Sequence, residues 1–164
     1  MRGRRICLMG GLALAMLTSM DRRTYPEEPI VGVGAVVFRD RSVLVIKRGN
    51  PPLSSAWSLP GGRVNENESL PEATSREVKE ECDIGIEIVD LITLYEYIER
   101  DGGGLVKYHY TVFDFAARYV EGELRALTDA LDARWIEIDT LDRCELTDAA
   151  RRIIREGYER VSGT

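Results

Sequence analysis

Three glutamates near the middle of the chain stand at a spacing that gathers their carboxylates. Glu77, Glu80 and Glu81 occupy positions i, i+3 and i+4, so on a helix they project as neighbours from one face. At about 100° per residue, Glu77 and Glu81 fall on the arc of Leu70 and Ala73, where this helix is expected to meet the core. Clustered carboxylates beside an apolar stripe repel one another and resist desolvation, so they require a compensating cation.

The neighbouring residues indicate which cation this is. Arg76 and Lys79 are basic, but each leaves the helix at about 100° to the glutamate that follows it, Glu77 and Glu80, respectively. The pattern therefore favours a hard divalent ion with oxygen ligands, Mg²⁺ or alternatively Mn²⁺. Taken alone, a charged run of this kind is typical of a solvated helix face with i,i+4 ion pairs, so the surrounding segment has to decide.

The loop before the helix adds groups that the helix lacks. It ends in Gly61 and Gly62. Because neither residue has a Cβ atom, the backbone carbonyls of this loop can approach a metal ion or a phosphate closely.

From Gly62 to Ile84 the chain resembles the Nudix signature: Gly, five residues, Glu, seven residues, then Arg-Glu-apolar-x-Glu-Glu-x-Gly-apolar. The positions that carry the family's residue types are Gly62, Glu68, Arg76, Glu77, Val78, Glu80, Glu81 and Ile84. Asp83 stands where the family has its final glycine. Because Asp tolerates the left-handed conformation that such a glycine adopts, we expect a small cost in stability and no lost ligand.

The resemblance extends outward to the ADP-ribose pyrophosphatase-like branch, from about Pro29 to Arg160. It is carried by residues 30–38, by the approach Trp57-Ser58-Leu59-Pro60-Gly61-Gly62 and by Ala133-Arg134-Trp135. It implies an α/β (α+β) fold, namely a Nudix-type α/β/α sandwich with a mixed sheet, a central catalytic loop-helix-loop and a C-terminal helix.

The same resemblance implies a set of metal ligands and helpers. In Nudix enzymes, the helix carboxylates and the carbonyl of the residue before the box hold divalent ions. The corresponding ligands here are the Gly61 carbonyl, Glu77, Glu80 and Glu81. Arg76 and Glu68 are expected to orient these carboxylates. The general base stays open among Glu77, Glu80 and two glutamates outside the box, Glu96 and Glu99.

The implied activity is the Mg²⁺-dependent hydrolysis of a pyrophosphate bond in a nucleoside diphosphate linked to another moiety. ADP-ribose, cleaved to AMP and ribose 5-phosphate, is the first expectation. A proline that the ADP-ribose subfamily often carries after the box is absent, because the chain there reads Ile98-Glu99-Arg100. Two alternatives stay open: a pyrophosphohydrolase that removes oxidised nucleoside triphosphates, and a non-catalytic Nudix-fold ligand sensor.

Candidate substrate contacts lie in the loop and in the strands after the box. Near the glycines they are Arg48, Trp57, Gly62 and Arg63, with exposure or core packing as the alternative for the three larger side chains. Tyr95, Tyr97, Tyr108 and Tyr110 either stack on a base or, as the pattern favours, pack across a hairpin. The only histidine, His109, is expected to be an ordinary strand residue.

The remaining elements follow from hydrophobic pattern and capping. Ser69 and Glu72 form a capping box, with Pro71 at an early position, which predicts a helix over residues 70–82. Thr147 caps a last amphipathic helix over residues 148–160. Strands are predicted over residues 30–38, 42–47, 84–98, 106–117 and 134–138, with a loop from 49 to 62.

Composition limits the domain count and the partners. The 164 residues suit one domain, predicted over residues 30–164 after an N-terminal extension of residues 1–29. Within the N-terminal extension, residues 6–18 are apolar and resemble a signal segment. The alternative is that the functional chain starts at Met20. A net charge of -6 disfavours nucleic acid as a partner and leaves a small nucleotide. No membrane contact is expected for the folded domain, and a homodimer stays open.

The cysteines indicate the compartment. Cys7, Cys82 and Cys144 have no metal-binding spacing, and an odd number cannot all pair with one another. This pattern favours a reducing compartment and hence the cytoplasm, although the apolar segment near the N-terminus leaves export or anchoring as the alternative.

Overall fold

The computed structural model describes residues 23–50 and 54–163 of the chain. The predicted signal-like segment lies outside the described residues. Tyr25, which the sequence analysis assigned to the N-terminal extension, donates its backbone N–H to the carbonyl of Lys107 at 2.8 Å. The residues just before the first strand therefore contact the rest of the domain. In the described part of the chain, no helix combines the length and apolar character needed to cross a membrane.

Within residues 23–50 and 54–163, a mixed sheet of seven strands forms the centre of the structure. The strands are β1 Ile30–Arg39, β2 Ser42–Arg48, β3 Trp57–Ser58, β4 Gly61–Arg63, β5 Ile84–Arg100, β6 Val106–Gly122 and β7 Ala130–Glu137. β1 lies parallel to β6, whereas the other strand pairs of the described residues are antiparallel. β1 thus joins the long β5–β6 hairpin on one side to β2 and β4 on the other.

Two helices cover opposite faces of this sheet. Successive side chains of a strand point to opposite faces. Ala35 of β1 packs in a cluster with residues of α1 (Leu70–Cys82), whereas its neighbour Val36 packs with residues of α2 (Asp148–Ser162). This arrangement confirms the predicted α/β/α sandwich with a mixed sheet.

The ends of α1 follow from local sequence. Ser69 caps the first turn, and its backbone N–H donates to the Glu72 carboxylate at 2.8 Å, which completes the predicted capping box. At the other end Asp83 adopts the left-handed conformation with φ 57° and ψ 24°, as expected for the residue that replaces the family's glycine. The helix therefore has the predicted limits, which fixes the positions of Glu77 and Glu81 along it.

Several element boundaries differ from the predictions. The predicted loop over residues 49–62 contains β3 and β4, which are too short to leave a periodic pattern in the sequence. β6 continues to Gly122, and β7 already starts at Ala130 because it pairs along the whole of β2. Ile138, predicted in the last strand, instead begins a 3₁₀ helix, Ile138–Arg143.

Candidate active site

A cavity of about 420 Å³ opens between the end of α1 and the sheet face that α2 covers. The glycine loop and α1 form one end of it, where Gly61, Gly62, Glu77 and Glu81 line the wall. β5, β6 and the start of α2 form the other end. The sheet, the loop and both helices therefore contribute to one site.

Glu81 is the most deeply buried carboxylate at the α1 end. Glu81 is 5% exposed, and its Oε2 accepts a hydrogen bond from the N–H of Gly61 at 2.9 Å. Burial raises the pKa of Glu81 to about 7, which the Gly61 N–H and the field of Arg48 only partly oppose. No lysine or arginine in the described residues forms an ion pair with it, so its charge has no ion-pair partner in that part of the chain.

Glu77 lies directly over Gly62. A Cβ atom on Gly62 would stand 2.4 Å from the carboxylate carbon of Glu77, so only glycine leaves room for this carboxylate. Burial raises the pKa of Glu77, and the ion pair with Arg76 at 2.8 Å partly offsets that increase. The spacing of the signature thus has a steric reason at this position, because the Glu77 carboxylate lies where a side chain on Gly62 would be.

Arg76 corrects one prediction. The helical angle suggested that Arg76 points away from the glutamates, yet it forms ion pairs with Glu68 at 2.7 Å, Glu77 at 2.8 Å and Glu80 at 3.2 Å. The angle to the adjacent residue describes only the Cα–Cβ direction, whereas Arg76 and Glu80 stand at i and i+4 and are therefore neighbours on the helix surface. These contacts raise the pKa of Arg76 and lower the pKa of Glu68 to about 2, with the N–H of Asn65 as a second donor to Glu68.

Glu80 does not reach the cavity. Its side chain is half exposed and pairs with Arg76 outside the wall formed by Glu77 and Glu81. Across residues 23–50 and 54–163, no group of three His, Cys, Asp or Glu side chains is arranged to hold a metal ion by itself. The structure therefore brings two of the three predicted carboxylate ligands to the cavity.

The backbone of β4 offers a further oxygen. Ala35 donates its N–H to the Pro60 carbonyl, and Val64 donates its N–H to the Val31 carbonyl. Hydrogen-bonded pairs alternate along an antiparallel ladder, so Gly61, paired with Gly34, turns its N–H and carbonyl away from β1. Since this N–H meets Glu81, the Gly61 carbonyl lies on the same side of β4. Two carboxylates and one carbonyl are a donor set that suits Mg²⁺, which usually keeps several waters.

The predicted substrate contacts divide into two groups. Arg48, Gly62 and Arg63 line the cavity, whereas Trp57 does not. Trp57 is buried in the core cluster beneath α2, and the guanidinium carbon of Arg134 lies 3.5 Å from its ring centroid. The next residue, Ser58, lines the cavity instead.

The tyrosines also divide. Tyr95, Tyr97 and Tyr110 line the cavity, whereas Tyr108 is buried away from it, so that the hairpin presents some of its tyrosines to the cavity and buries another. His109 does not line the cavity either, and its Nε2 lies 3.6 Å from Oε1 of Glu96.

The two candidates for a general base outside the box lie away from the cavity wall. Glu99 accepts a hydrogen bond from the hydroxyl of Tyr97 at 2.7 Å, and Glu96 faces His109. Neither residue lines the cavity.

Two acidic residues of the cavity were missed by the sequence analysis. Asp114 on β6 lines the floor, and Asp129, just before β7, lines the α1 end, where its charge raises the pKa of Glu77 and of Glu81. For Asp114 the sequence offers an indication, because a single acidic residue stands inside the apolar run Val112-Phe113-Asp114-Phe115. Asp129 lies in an irregular polar segment and left none.

Comparison with known proteins is consistent with this geometry. The family model described as NUDIX domain matches residues 28–157. An ADP-ribose pyrophosphatase of Methanocaldococcus jannaschii is 33% identical over 115 residues, covering 70% of this chain and 66% of that protein. The 8-oxo-dGDP phosphatase NUDT18 of Danio rerio is 32% identical over 108 residues, covering 63% of this chain and 30% of that protein. This chain thus spans less than two thirds of the length of either relative.

A solved structure shows the same fold. The MutT NUDIX hydrolase from Burkholderia pseudomallei superimposes with a TM-score of 0.68 at 32% identity, covering 79% of this chain and 98% of that chain. With a family match over most of its length, and with the glycine loop and the carboxylates of α1 meeting at one cavity, this chain belongs to the Nudix family.

Proposed function

We propose that this chain is a Mg²⁺-dependent hydrolase that cleaves the pyrophosphate bond of a nucleoside diphosphate linked to another moiety. The observation that carries the proposal is Glu81. This carboxylate is buried at the cavity wall, has no ion pair among the described residues and is held by the N–H of the glycine loop. Such a group needs a cation, and a diphosphate substrate needs one too.

The residues that would hold the ion are Glu77, Glu81 and the carbonyl of Gly61. Glu80 shares Arg76 with Glu77 and is the next carboxylate of the helix that could contribute a ligand. When bound, Mg²⁺ or Mn²⁺ supplies electrostatic stabilisation of the charge that builds on the leaving phosphate.

The protein's own residues prepare the site. Arg76 ties Glu68, Glu77 and Glu80 together, which restricts the orientation of the Glu77 carboxylate. Arg48 and Arg63 line the same cavity and present guanidinium groups to the phosphates of a bound substrate. Among the carboxylates considered as general base, Glu77 is the one that lines the cavity, and we assign this role to it ahead of Glu80, Glu96 and Glu99.

ADP-ribose is the substrate that we propose. Water attacks one phosphorus, the bridging oxygen leaves with the other phosphoryl group, and the products are AMP and ribose 5-phosphate. Support comes from the M. jannaschii relative, an ADP-ribose pyrophosphatase. Tyr95, Tyr97 and Tyr110 add support, since their rings at the far end of the cavity offer faces against which a nucleobase can stack.

An oxidised nucleotide is the second candidate. The relative from Danio rerio is an 8-oxo-dGDP phosphatase, and its similarity to this chain covers a comparable stretch. The tyrosine-lined end of the cavity suits a modified guanine as well as an adenine. A ligand sensor without activity is disfavoured, because the glutamates of the signature are all present in this chain.

Product analysis tests the proposal. The protein is incubated with ADP-ribose, NADH, dinucleoside polyphosphates, 8-oxo-dGDP and 8-oxo-dGTP, with Mg²⁺ or with chelator, and products are separated by chromatography. We expect AMP and ribose 5-phosphate from ADP-ribose in the presence of Mg²⁺ only. A clear preference for an 8-oxo nucleotide would select the second candidate, and no turnover of any substrate would contradict the assignment as a hydrolase.

A further inference from the structure

Asp114 is a buried carboxylate that the reaction proposed above does not use. The residue is 3% exposed, it lies on β6 and it lines the cavity on the sheet face that α2 covers. Its Oδ2 has neither solvent contact nor a hydrogen-bond partner in the described residues. A buried carboxylate without a partner is costly, because the lost hydration is not replaced.

The neighbouring strand makes room for this carboxylate. Gly34 of β1 is the parallel partner of Asp114, and a Cβ atom on Gly34 would stand 2.1 Å from Oδ1 of Asp114. The carboxylate therefore lies across the backbone at Gly34, in space that any other residue there would occupy. Among the described residues, Asp114 forms no hydrogen bond or ion pair that holds another element in place, so internal packing does not explain why an acidic group stands here.

The surroundings of Asp114 suit the edge of a flat heterocycle. Tyr95 of β5, Tyr110 and Val112 of β6 and Ala150 of α2 line the same cavity as Asp114. Sites of this kind combine apolar and aromatic walls with a few polar groups that select the ligand. Burial alone raises the pKa of Asp114 to about 7, without a contribution from a neighbouring cation, so the protein itself does not neutralise the group.

We propose that Asp114 is a specificity-determining residue whose carboxyl oxygen accepts a hydrogen bond from the exocyclic amino group of the substrate's purine base. The proposal rests on the proposed function in placing a nucleotide in this cavity. Tyr95 and Tyr110 flank the base, and the Asp114 carboxyl group on β6 contacts the edge of the base that carries the amino group. A base that lacks the amino group leaves the buried carboxyl group without a partner, and sites built in this way discriminate strongly.

Binding of two nucleotides tests the proposal without requiring turnover. The ligands are AMP and purine riboside 5′-monophosphate, which is AMP with hydrogen in place of the amino group. Isothermal titration with the full chain is expected to show AMP binding tighter by about tenfold to a hundredfold. In Asp114→Ala this ratio is expected to fall to within about threefold, whereas Asp114→Asn, whose amide oxygen still accepts, keeps part of it.

A matched variant separates specificity from packing. Val112→Ala shortens a side chain in the same end of the cavity, and we expect it to weaken both ligands equally and to leave their ratio unchanged. Circular dichroism and melting temperatures establish that each variant is folded, and Asp114→Asn provides the comparison if Asp114→Ala does not fold.

The outcomes distinguish this inference from the proposed function. An unchanged ratio in both Asp114 variants, or a wild-type protein that binds the two ligands equally or binds neither, overturns the role of Asp114. Hydrolysis of ADP-ribose is measured separately. The protein can hydrolyse ADP-ribose even if the Asp114 variants do not change the ratio of the two affinities. Conversely, the variants can change this ratio even if ADP-ribose is not hydrolysed.

Discussion

The N–H of Gly61 donates to Oε2 of Glu81 at 2.9 Å, which ties the glycine loop to the buried side of α1. The two residues are far apart in sequence and belong to different elements. Their contact places the carboxylate beside the backbone that precedes the signature, and it is the bond on which the arrangement of the proposed metal site depends.

Glu81→Gln is expected to reduce turnover by on the order of a hundredfold or more while preserving the fold, because it removes the charge that the ion requires and keeps the shape. Release of AMP from ADP-ribose is the measurement. Glu87→Gln, which removes the same charge from an exposed position on β5, is the control and should behave like the wild type. Near-normal activity in Glu81→Gln would contradict the metal assignment.

Gly62→Ala is expected to lower activity by roughly tenfold to a hundredfold and to raise the Mg²⁺ concentration needed for half-maximal rate. The added Cβ atom would stand 2.4 Å from the Glu77 carboxylate carbon, so that this carboxylate must move, and misplacement by about 1 Å has effects of this size. Gly102→Ala, in the turn between β5 and β6 where nothing lies within 4 Å of the new atom, is the control. Equal Mg²⁺ dependence in the two variants would show that Glu77 does not contribute to metal binding.

Arg76→Lys is expected to weaken Mg²⁺ binding by about tenfold to a hundredfold, although it keeps the charge. A single ammonium cannot reproduce the planar guanidinium that pairs with Glu68, Glu77 and Glu80 together. Titration of Mg²⁺ against rate and against melting temperature measures the effect. Lys79→Arg, an exchange of the same two residue types at an exposed position on α1, is the control and should change neither the Mg²⁺ dependence of the rate nor that of the melting temperature. If Arg76→Lys also leaves both quantities unchanged, Arg76 does not orient the metal ligands.

Asp114→Asn is expected to stabilise the protein at pH 8 and to lose that advantage as the pH falls towards 4. Burial raises the pKa of Asp114 from 3.8 to about 7 in the folded state. The folded chain therefore carries the cost of the charged group in full above pH 7, and this cost disappears as the pH approaches the unfolded value. A shift of this size corresponds to a few kcal/mol, on the order of 4.

Melting temperatures of the wild type and Asp114→Asn between pH 4 and pH 8 provide the measurement. Asp40→Asn, in the exposed turn between β1 and β2, makes the same exchange without burial and is the control. A difference between wild type and Asp114→Asn that is constant with pH would mean that Asp114 titrates normally in the folded protein.

Some features of this protein are determined by residues that lie close together in the chain. Ser69 and Glu72 predicted the start of α1, and Asp83 predicted its end, because capping depends on contacts within one helical turn. The long strands followed from their hydrophobic pattern for a similar reason. The signature from Gly62 to Ile84 indicated the family, since its spacing lies within one loop and one helix.

Other features arise only where distant segments meet. Arg76 was misplaced because a helical angle describes where a side chain starts and not where its charged end finds partners. Trp57 was predicted at the cavity because nothing local shows which way a two-residue strand faces, and its pairing with β2 decides this.

Asp114 is the clearest example of a residue whose surroundings cannot be predicted from its neighbours in the sequence. Its acidic character within an apolar run was visible in the sequence, but the space that its carboxylate occupies depends on Gly34, which lies opposite it on a parallel strand. The sequence by itself therefore determined the elements and the family, because these depend on neighbouring residues. Which carboxylates share the cavity was decided by the tertiary structure, because strand pairing and burial set the distances between side chains that are remote in the chain.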